Sequence, residues 1–110
     1  MQFATDFANR RHMNKQDVIA ILQRSADALR ARGIRHAALF GSVARDEARP
    51  ESDIDIMIEL APDASLDIFA YVELKDFVAS LFPGPVDVVN KEALKPHVGP
   101  PATADSIYAF

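Results

Sequence analysis

The sequence contains no cysteine among its 110 residues. This absence excludes disulfides, thiolate zinc sites and a cysteine nucleophile, and it is compatible with a reducing cytoplasm. No stretch approaches the ~20 apolar residues that a membrane span needs, and the first residues lack the continuous apolar core of a signal peptide. We therefore expect a cytoplasmic protein that makes no contact with a membrane.

Positive charge is also scarce, with 12 lysines and arginines against 16 aspartates and glutamates and a net charge of −4. Tight, sequence-independent binding to a nucleic-acid backbone needs clustered cations, so a protein or small molecule is the expected partner and no nucleic acid is. Hydrophobic residues make up 49% of the chain, which is typical of a globular protein. A chain of this length forms one domain, residues 1–110, without room for a second substrate-binding domain.

Helical and strand patterns alternate along the chain and predict an α/β (α+β) fold. Asn14 with Asp17 resembles a capping box for a helix over Lys15 to Arg32, which Gly33 ends. The other predicted elements are the strands Ile34–Phe40, Asp53–Leu60 and Val86–Val89 and a helix over Leu66–Leu81. That helix is expected to be capped by Ser65 and to direct Phe69, Leu74 and Val78 inward. Residues 1–13 are expected to be an extension or arm, and residues 96–110 an irregular tail because of Gly99-Pro100-Pro101.

The first strand ends at Gly41-Ser42, as a buried strand does when it runs into a tight turn. Glycine allows backbone amides to approach a ligand closely, and Ser42 is expected to be the N-cap of a short helix whose free N–H groups suit a phosphate. Arg45 has two interpretations that the sequence leaves open. It reaches a phosphate bound at this turn, or it pairs with Glu47 or Glu51.

After a spacer of ten residues that follows Ser42, the strand Asp53-Ile54-Asp55-Ile56 directs two carboxylates to one face, because residues i and i+2 of a strand point the same way. Like charges so close repel each other unless a cation lies between them, and hard oxygen ligands favour magnesium or manganese over zinc. Asp87, in the last predicted strand, either faces solvent or lies beside this pair on a neighbouring strand.

Together, Gly41-Ser42, the ten-residue spacer and the Asp53–Ile56 segment resemble the nucleotidyltransferase pattern of the DNA polymerase β superfamily. The string Gly41–Arg45, with Ser52 before Asp53, resembles its smallest branch, the minimal nucleotidyltransferases that are paired with HEPN-domain proteins in prokaryotic toxin–antitoxin modules. The resemblance covers roughly residues 14–93. That branch usually has glycine where this chain has Asp46.

The resemblance implies a nucleotidyltransferase fold with a small mixed sheet of three or more strands flanked by helices. It implies that ATP is the substrate and that AMP moves to a tyrosine of a HEPN ribonuclease toxin, for which this chain is the antitoxin in a hetero-oligomer. The implied catalytic and metal residues are Asp53, Asp55 and Asp87, which hold two Mg²⁺ ions, with Mn²⁺ as the alternative. The implied nucleotide-binding residues are Gly41, Ser42, Arg45 and Ser52.

Two rival functions are kept beside this one. A small-molecule nucleotidyltransferase of the aminoglycoside-modifying kind normally needs an added domain, which a chain of this length lacks. A non-catalytic antitoxin that neutralises its partner by binding alone has no need of three acids. The negative charge of Asp46 near the Gly41-Ser42 turn nevertheless keeps this alternative open.

Overall fold

The structure, a computed structural model, describes residues 13–47, 53–93 and 106–110. The described elements, in chain order, are α1 (Lys15–Arg24), α2 (Ala26–Ala31), β1 (Ile34–Phe40), α3 (Gly41–Ala44), β2 (Ile54–Leu60), α4 (Ile68–Ser80), β3 (Val86–Asn90), a 3₁₀ turn (Lys91–Ala93) and β4 (Ile107–Tyr108). No helix in these ranges is long and apolar enough to cross a membrane.

The four strands form one mixed sheet in the order β3-β2-β1-β4. β1 pairs antiparallel with both β2 and β4, whereas β2 and β3 are parallel and are joined through α4. The helices and the mixed sheet confirm the predicted fold class, and the sheet has one strand more than the predicted minimum.

One face of the sheet carries the hydrophobic core. Ile54, Ile56 and Ile58 alternate along β2 and are buried, as the period of two predicts. They pack in one cluster with Ala37 and Leu39 of β1 and with the buried helix residues Val18, Leu22, Leu29, Leu74 and Val78. Asp55 and Glu59 lie on the opposite face of β2, so the strand separates the core from the polar groups.

The first helical segment begins and ends where the sequence predicts, but it is interrupted. The side chain of Asn14 accepts a hydrogen bond from the Asp17 backbone N–H at 2.9 Å, and Gly33 follows α2 with a φ of +101°. The interruption lies at Ser25, whose φ and ψ of −96° and 3° are not helical. The single helix predicted over Lys15 to Arg32 is therefore wrong at this residue, where serine is a weak helix former.

The prediction for α4 is wrong at its N-terminus. Asp67 is the N-cap, because its carboxylate accepts a hydrogen bond from the Ala70 N–H at 2.8 Å, and Ser65 lies outside the helix. Leu74 and Val78 are buried as predicted, but Phe69 is 78% exposed. The later start places Phe69 in the first turn, on the solvent side of the helix.

The tail predicted to be irregular over residues 96–110 contains β4 at Ile107–Tyr108. This strand pairs with the edge of β1 that would otherwise stay open, and the Ala109 N–H donates to the Ala37 carbonyl at 2.8 Å. The Tyr108 hydroxyl donates to Glu59 Oε2 at 2.6 Å, which adds a side-chain contact two strands away. The predicted arm before Met13 and the Gly99-Pro100-Pro101 segment lie outside the described residues.

Candidate active site

The chain turns sharply between β1 and α3 at Gly41. Phe40, the last residue of β1, is paired with Asp55, and Gly41 follows it with a φ of +79°. This left-handed conformation starts the helical turn at once, so Phe40 occupies the N-cap position. The predicted role of Ser42 as N-cap is therefore wrong. Ser42 lies inside α3, where its carbonyl accepts the Glu47 N–H at 2.8 Å.

Gly41 packs directly against the carboxyl group of Asp55. A Cβ atom at residue 41 would collide with Asp55 Oδ2 and would lie only 3.0 Å from Asp55 Cγ. The sequence suggests that glycine lets a ligand approach the backbone here. The structure shows that glycine also lets this carboxylate approach it, so the turn and the acid form one packed unit.

Three acids lie around this unit. Asp53 precedes β2, Asp55 lies inside it, and Asp87 of β3 is the register partner of Asp55 in the parallel pair. Neighbouring strands are about 4.8 Å apart, so the Asp55 and Asp87 side chains lie side by side. Burial raises the pKa of Asp55, and the like charges of Asp87 and Asp53 raise it further. The structure thus brings the three predicted acids to one end of the sheet.

Arg45 follows the end of α3. It forms an ion pair with Glu47, which is one of the two roles that the sequence allows for it. Its Nε donates to Glu47 Oε1 at 2.9 Å, and its side chain remains 43% exposed. The same guanidinium opposes the upward shift in the pKa of Asp55, so its positive charge acts on the acidic cluster. Contact with a phosphate stays a prediction for Arg45, and Ser52 lies outside the described residues.

The acids fit a hard divalent cation in charge and in donor chemistry. Asp53 and Asp87 are exposed and Asp55 is half-buried, so the two outer carboxylates can change rotamer around a more fixed inner one. Over residues 13–47, 53–93 and 106–110, no group of three acidic, histidine or cysteine side chains is already arranged so that it could hold a metal ion. Side-chain rotation would therefore accompany binding of Mg²⁺ or Mn²⁺.

Comparison with known proteins decides the family. The profile of the nucleotidyltransferase domain matches residues 22–107, which include the turn and all three acids. The chain belongs to the nucleotidyltransferase domain family. The predicted family and enzyme class are confirmed, and a nucleotide is the substrate of this nucleotidyltransferase.

The protein adenylyltransferase MntA of Thermococcus cleftensis is 31% identical to this chain over 94 residues. The match covers 84% of this chain and 93% of MntA. The solved structure of a candidate minimal nucleotidyltransferase has a TM-score of 0.70 and 26% identity, covering 87% of this chain and 96% of that one. A third similar structure is the complex of a tri-AMPylated Shewanella oneidensis HEPN toxin with an MNT antitoxin. It has a TM-score of 0.58 and 22% identity, and the match covers 84% of this chain and 71% of that one. That last likeness shows a shared fold.

Nothing in the sequence pattern marks Lys15 as a site residue, although in the folded chain it pairs with Asp46, just after α3. Its Nζ is 2.7 Å from Asp46 Oδ2, and the two residues are 31 positions apart. No local spacing connects residues so distant, so only the folded structure identifies the pair.

Replacing Gly41 by alanine is expected to destabilise the nucleotidyltransferase by ~1–3 kcal/mol, because the new Cβ combines a positive φ with a collision against Asp55. Transfer activity should fall in the same variant, since Asp55 must move. Urea unfolding measures the first effect. Gly84→Ala is the matched control, because nothing lies within 4 Å of a Cβ at residue 84. Equal stability of the two variants would contradict the packed turn.

Replacing Asp55 by asparagine is expected to raise the melting temperature at pH 7 in metal-free buffer. A carboxyl whose pKa is higher in the folded than in the unfolded chain costs stability when it is ionised. The cost is full above the folded pKa and is lost as the pH falls towards and below the ordinary value of 3.8. The advantage of Asp55→Asn should therefore shrink on acidification, in melting curves recorded with EDTA.

The exposed Asp63→Asn in the loop after β2 is the control for this pH series, since it removes one carboxylate away from the cluster. A melting temperature of Asp55→Asn below that of the unsubstituted protein at pH 7 would show that the carboxylate stabilises the fold.

Proposed function

We propose that this nucleotidyltransferase moves AMP from ATP to a tyrosine hydroxyl of a HEPN-domain toxin and so acts as its antitoxin. One observation carries the proposal: Asp55 packs under the Gly41 turn, beside Asp53 and in register with Asp87. The relative MntA is a protein adenylyltransferase, and the fold is shared with an MNT antitoxin in complex with an AMPylated HEPN toxin. Both support AMP transfer to a protein.

In the proposed reaction, the acceptor oxygen attacks the α-phosphate of ATP, a new P–O bond forms, and the bond to the β-phosphate breaks as pyrophosphate leaves. Asp53 and Asp55 would hold two Mg²⁺ ions and Asp87 would complete the ligand set of one of them; the ions would neutralise negative charge on the phosphate oxygens. Gly41 and Ser42 bind the β- and γ-phosphates, assisted by Arg45 and Ser52. Asp87 accepts the proton of the acceptor hydroxyl, which makes the attacking oxygen a stronger nucleophile.

Direct transfer of AMP from ATP to the acceptor, with no enzyme-bound intermediate, is part of the proposal. A protein acceptor is proposed because the relative MntA, which matches 84% of this chain, is a protein adenylyltransferase. The partner brings its own surface to the edge where Asp53 and Asp87 are exposed. The working assembly is then a hetero-oligomer in the cytoplasm.

Two isotopic labels test the reaction type. The purified nucleotidyltransferase is incubated with a HEPN-domain partner, Mg²⁺ and ATP that is labelled at either the α- or the γ-phosphate. We expect the α label on the partner and the γ label in released pyrophosphate. Transfer of the γ label would indicate phosphoryl transfer, and absence of both labels from the partner would contradict AMP transfer to a protein.

A further inference from the structure

Asp46 adopts a backbone conformation that costs free energy for a residue with a side chain. Its φ is +60°, and among the described residues every other positive φ belongs to glycine. The left-handed region disfavours L-residues by ~1–2 kcal/mol, although aspartate and asparagine tolerate it better than most. Glycine would meet the same backbone requirement without this cost. An aspartate therefore occupies residue 46 although its backbone conformation favours glycine.

The carboxylate has one long-range contact that gives it a role. Lys15 Nζ lies 2.7 Å from Asp46 Oδ2, and the two side chains are 32% and 62% exposed. An exposed pair of this kind adds little to global stability. Lys15 is the first residue of α1, which is held by the Asn14 cap and by buried Val18 and Leu22. The pair therefore connects a firmly packed helix to the loop that follows α3.

That loop is joined by hydrogen bonds to the Gly41-Ser42 turn, which is proposed to bind the phosphates. The Asp46 N–H donates to the Val43 carbonyl at 3.2 Å, and the Glu47 N–H donates to the Ser42 carbonyl at 2.8 Å. Arg45, which immediately precedes Asp46, acts electrostatically on Asp55. Asp46 is therefore part of the same hydrogen-bonded turn as Gly41 and Ser42. The negative charge of its carboxylate acts on any anion that this turn binds.

We propose that Lys15 is a positioning residue for nucleotide binding, which acts by neutralising and anchoring Asp46. The inference rests on the proposed role of the turn in binding the triphosphate. Without Lys15, the carboxylate repels the phosphates and the loop loses its attachment to α1. With Lys15, the turn Gly41–Glu47 is fixed to the helix and the extra acid is balanced. Lys15 acts through Asp46 and does not itself touch the nucleotide.

A double-mutant cycle tests the inference through the KM for ATP. Lys15→Gln should raise this KM about tenfold with kcat nearly unchanged, since an uncompensated unit charge acts on the bound anion and not on the chemical step. Asp46→Gly should bind ATP at least as well as the unsubstituted protein. In the Asp46→Gly background, Lys15→Gln should change KM by less than about twofold, because the charge that it exposes is gone.

Three further measurements separate positioning from a merely structural role. Lys15→Arg should restore KM, because it keeps the charge. Raising NaCl from about 0.05 to 0.5 M should shrink the effect of Lys15→Gln, since salt screens charges at the surface. Arg24→Gln, at the other end of α1, is the matched control and should leave KM unchanged. Melting curves should place the Lys15 and Arg24 variants close to the unsubstituted protein, and Asp46→Gly at or above it, because glycine relieves the strained backbone conformation.

The outcomes are distinguishable. An unchanged KM in Lys15→Gln would overturn the inference while leaving the proposed function intact. A tenfold increase that persists in the Asp46→Gly background would overturn it as well, because Lys15 would then contact the phosphates directly. Absence of ATP binding by the unsubstituted protein would overturn the proposed function and this inference together.

Discussion

Replacing Asp53 and Asp55 together by asparagine is expected to abolish magnesium-dependent ATP binding and to lower AMP transfer by about 10³-fold or more. Asparagine keeps the shape of the two side chains but removes the charges that attract the cation. Metal ions contribute several kcal/mol to phosphoryl and nucleotidyl transfer, and each 1.36 kcal/mol is tenfold in rate. The effect is large because Asp55 is the inner carboxylate of the cluster.

The doubly substituted protein should remain folded. Burial and two like charges already disfavour ionised Asp55, so removing charge relieves repulsion instead of breaking a stabilising contact. Calorimetry with ATP, with and without Mg²⁺, measures the loss, and Asp63→Asn serves as the control for removal of an exposed aspartate. Equal ATP affinity with and without Mg²⁺ in the unsubstituted protein would refute the metal assignment.

Replacing Asp87 by asparagine is expected to cut the transfer rate by roughly 10²–10⁴ while leaving ATP binding and partner binding nearly intact. Asp87 is exposed at the edge strand β3, where an incoming hydroxyl can reach it, and it is the register partner of Asp55. Loss of a proton acceptor slows the chemical step without weakening the ground-state complex. A single-turnover assay with preformed complex measures this step directly.

In cells, the same variant separates an enzyme from a pure binder. If catalysis neutralises the toxin, Asp87→Asn forms the complex but fails to protect. If binding suffices, Asp87→Asn protects fully and no AMP is found on the partner. The second outcome would favour the non-catalytic antitoxin.

Local patterns in the sequence were sufficient for the elements that depend on neighbouring residues. The bounds of β1, the Asn14 cap and the end of α2 at Gly33 each follow from residues within one or two turns of the chain. The alternation in β2 likewise separated the buried isoleucines from Asp53 and Asp55. The position of Asp87 beside them required the order of helices and strands as well, and the resemblance to a known family supplied it.

Features that depend on contacts between distant residues were missed. The helical spacing predicts that Phe69 faces the core, but the Asp67 cap starts α4 too late for Phe69 to face inward. β4 follows a Gly-Pro-Pro segment, and only the open edge of β1 explains why a strand forms there. The packing of Gly41 on Asp55 and the Lys15–Asp46 pair depend on tertiary structure in the same way.

Intact-mass measurement of the HEPN-domain partner after co-expression tests the central claim most directly. Co-expression with the unsubstituted nucleotidyltransferase should give a partner whose mass is increased by one or more discrete AMP units. The increase should be absent after co-expression with Asp53→Asn/Asp55→Asn, although both proteins accumulate in folded form. A neutralised partner of unchanged mass in the presence of the unsubstituted protein would contradict AMP transfer as the basis of its action.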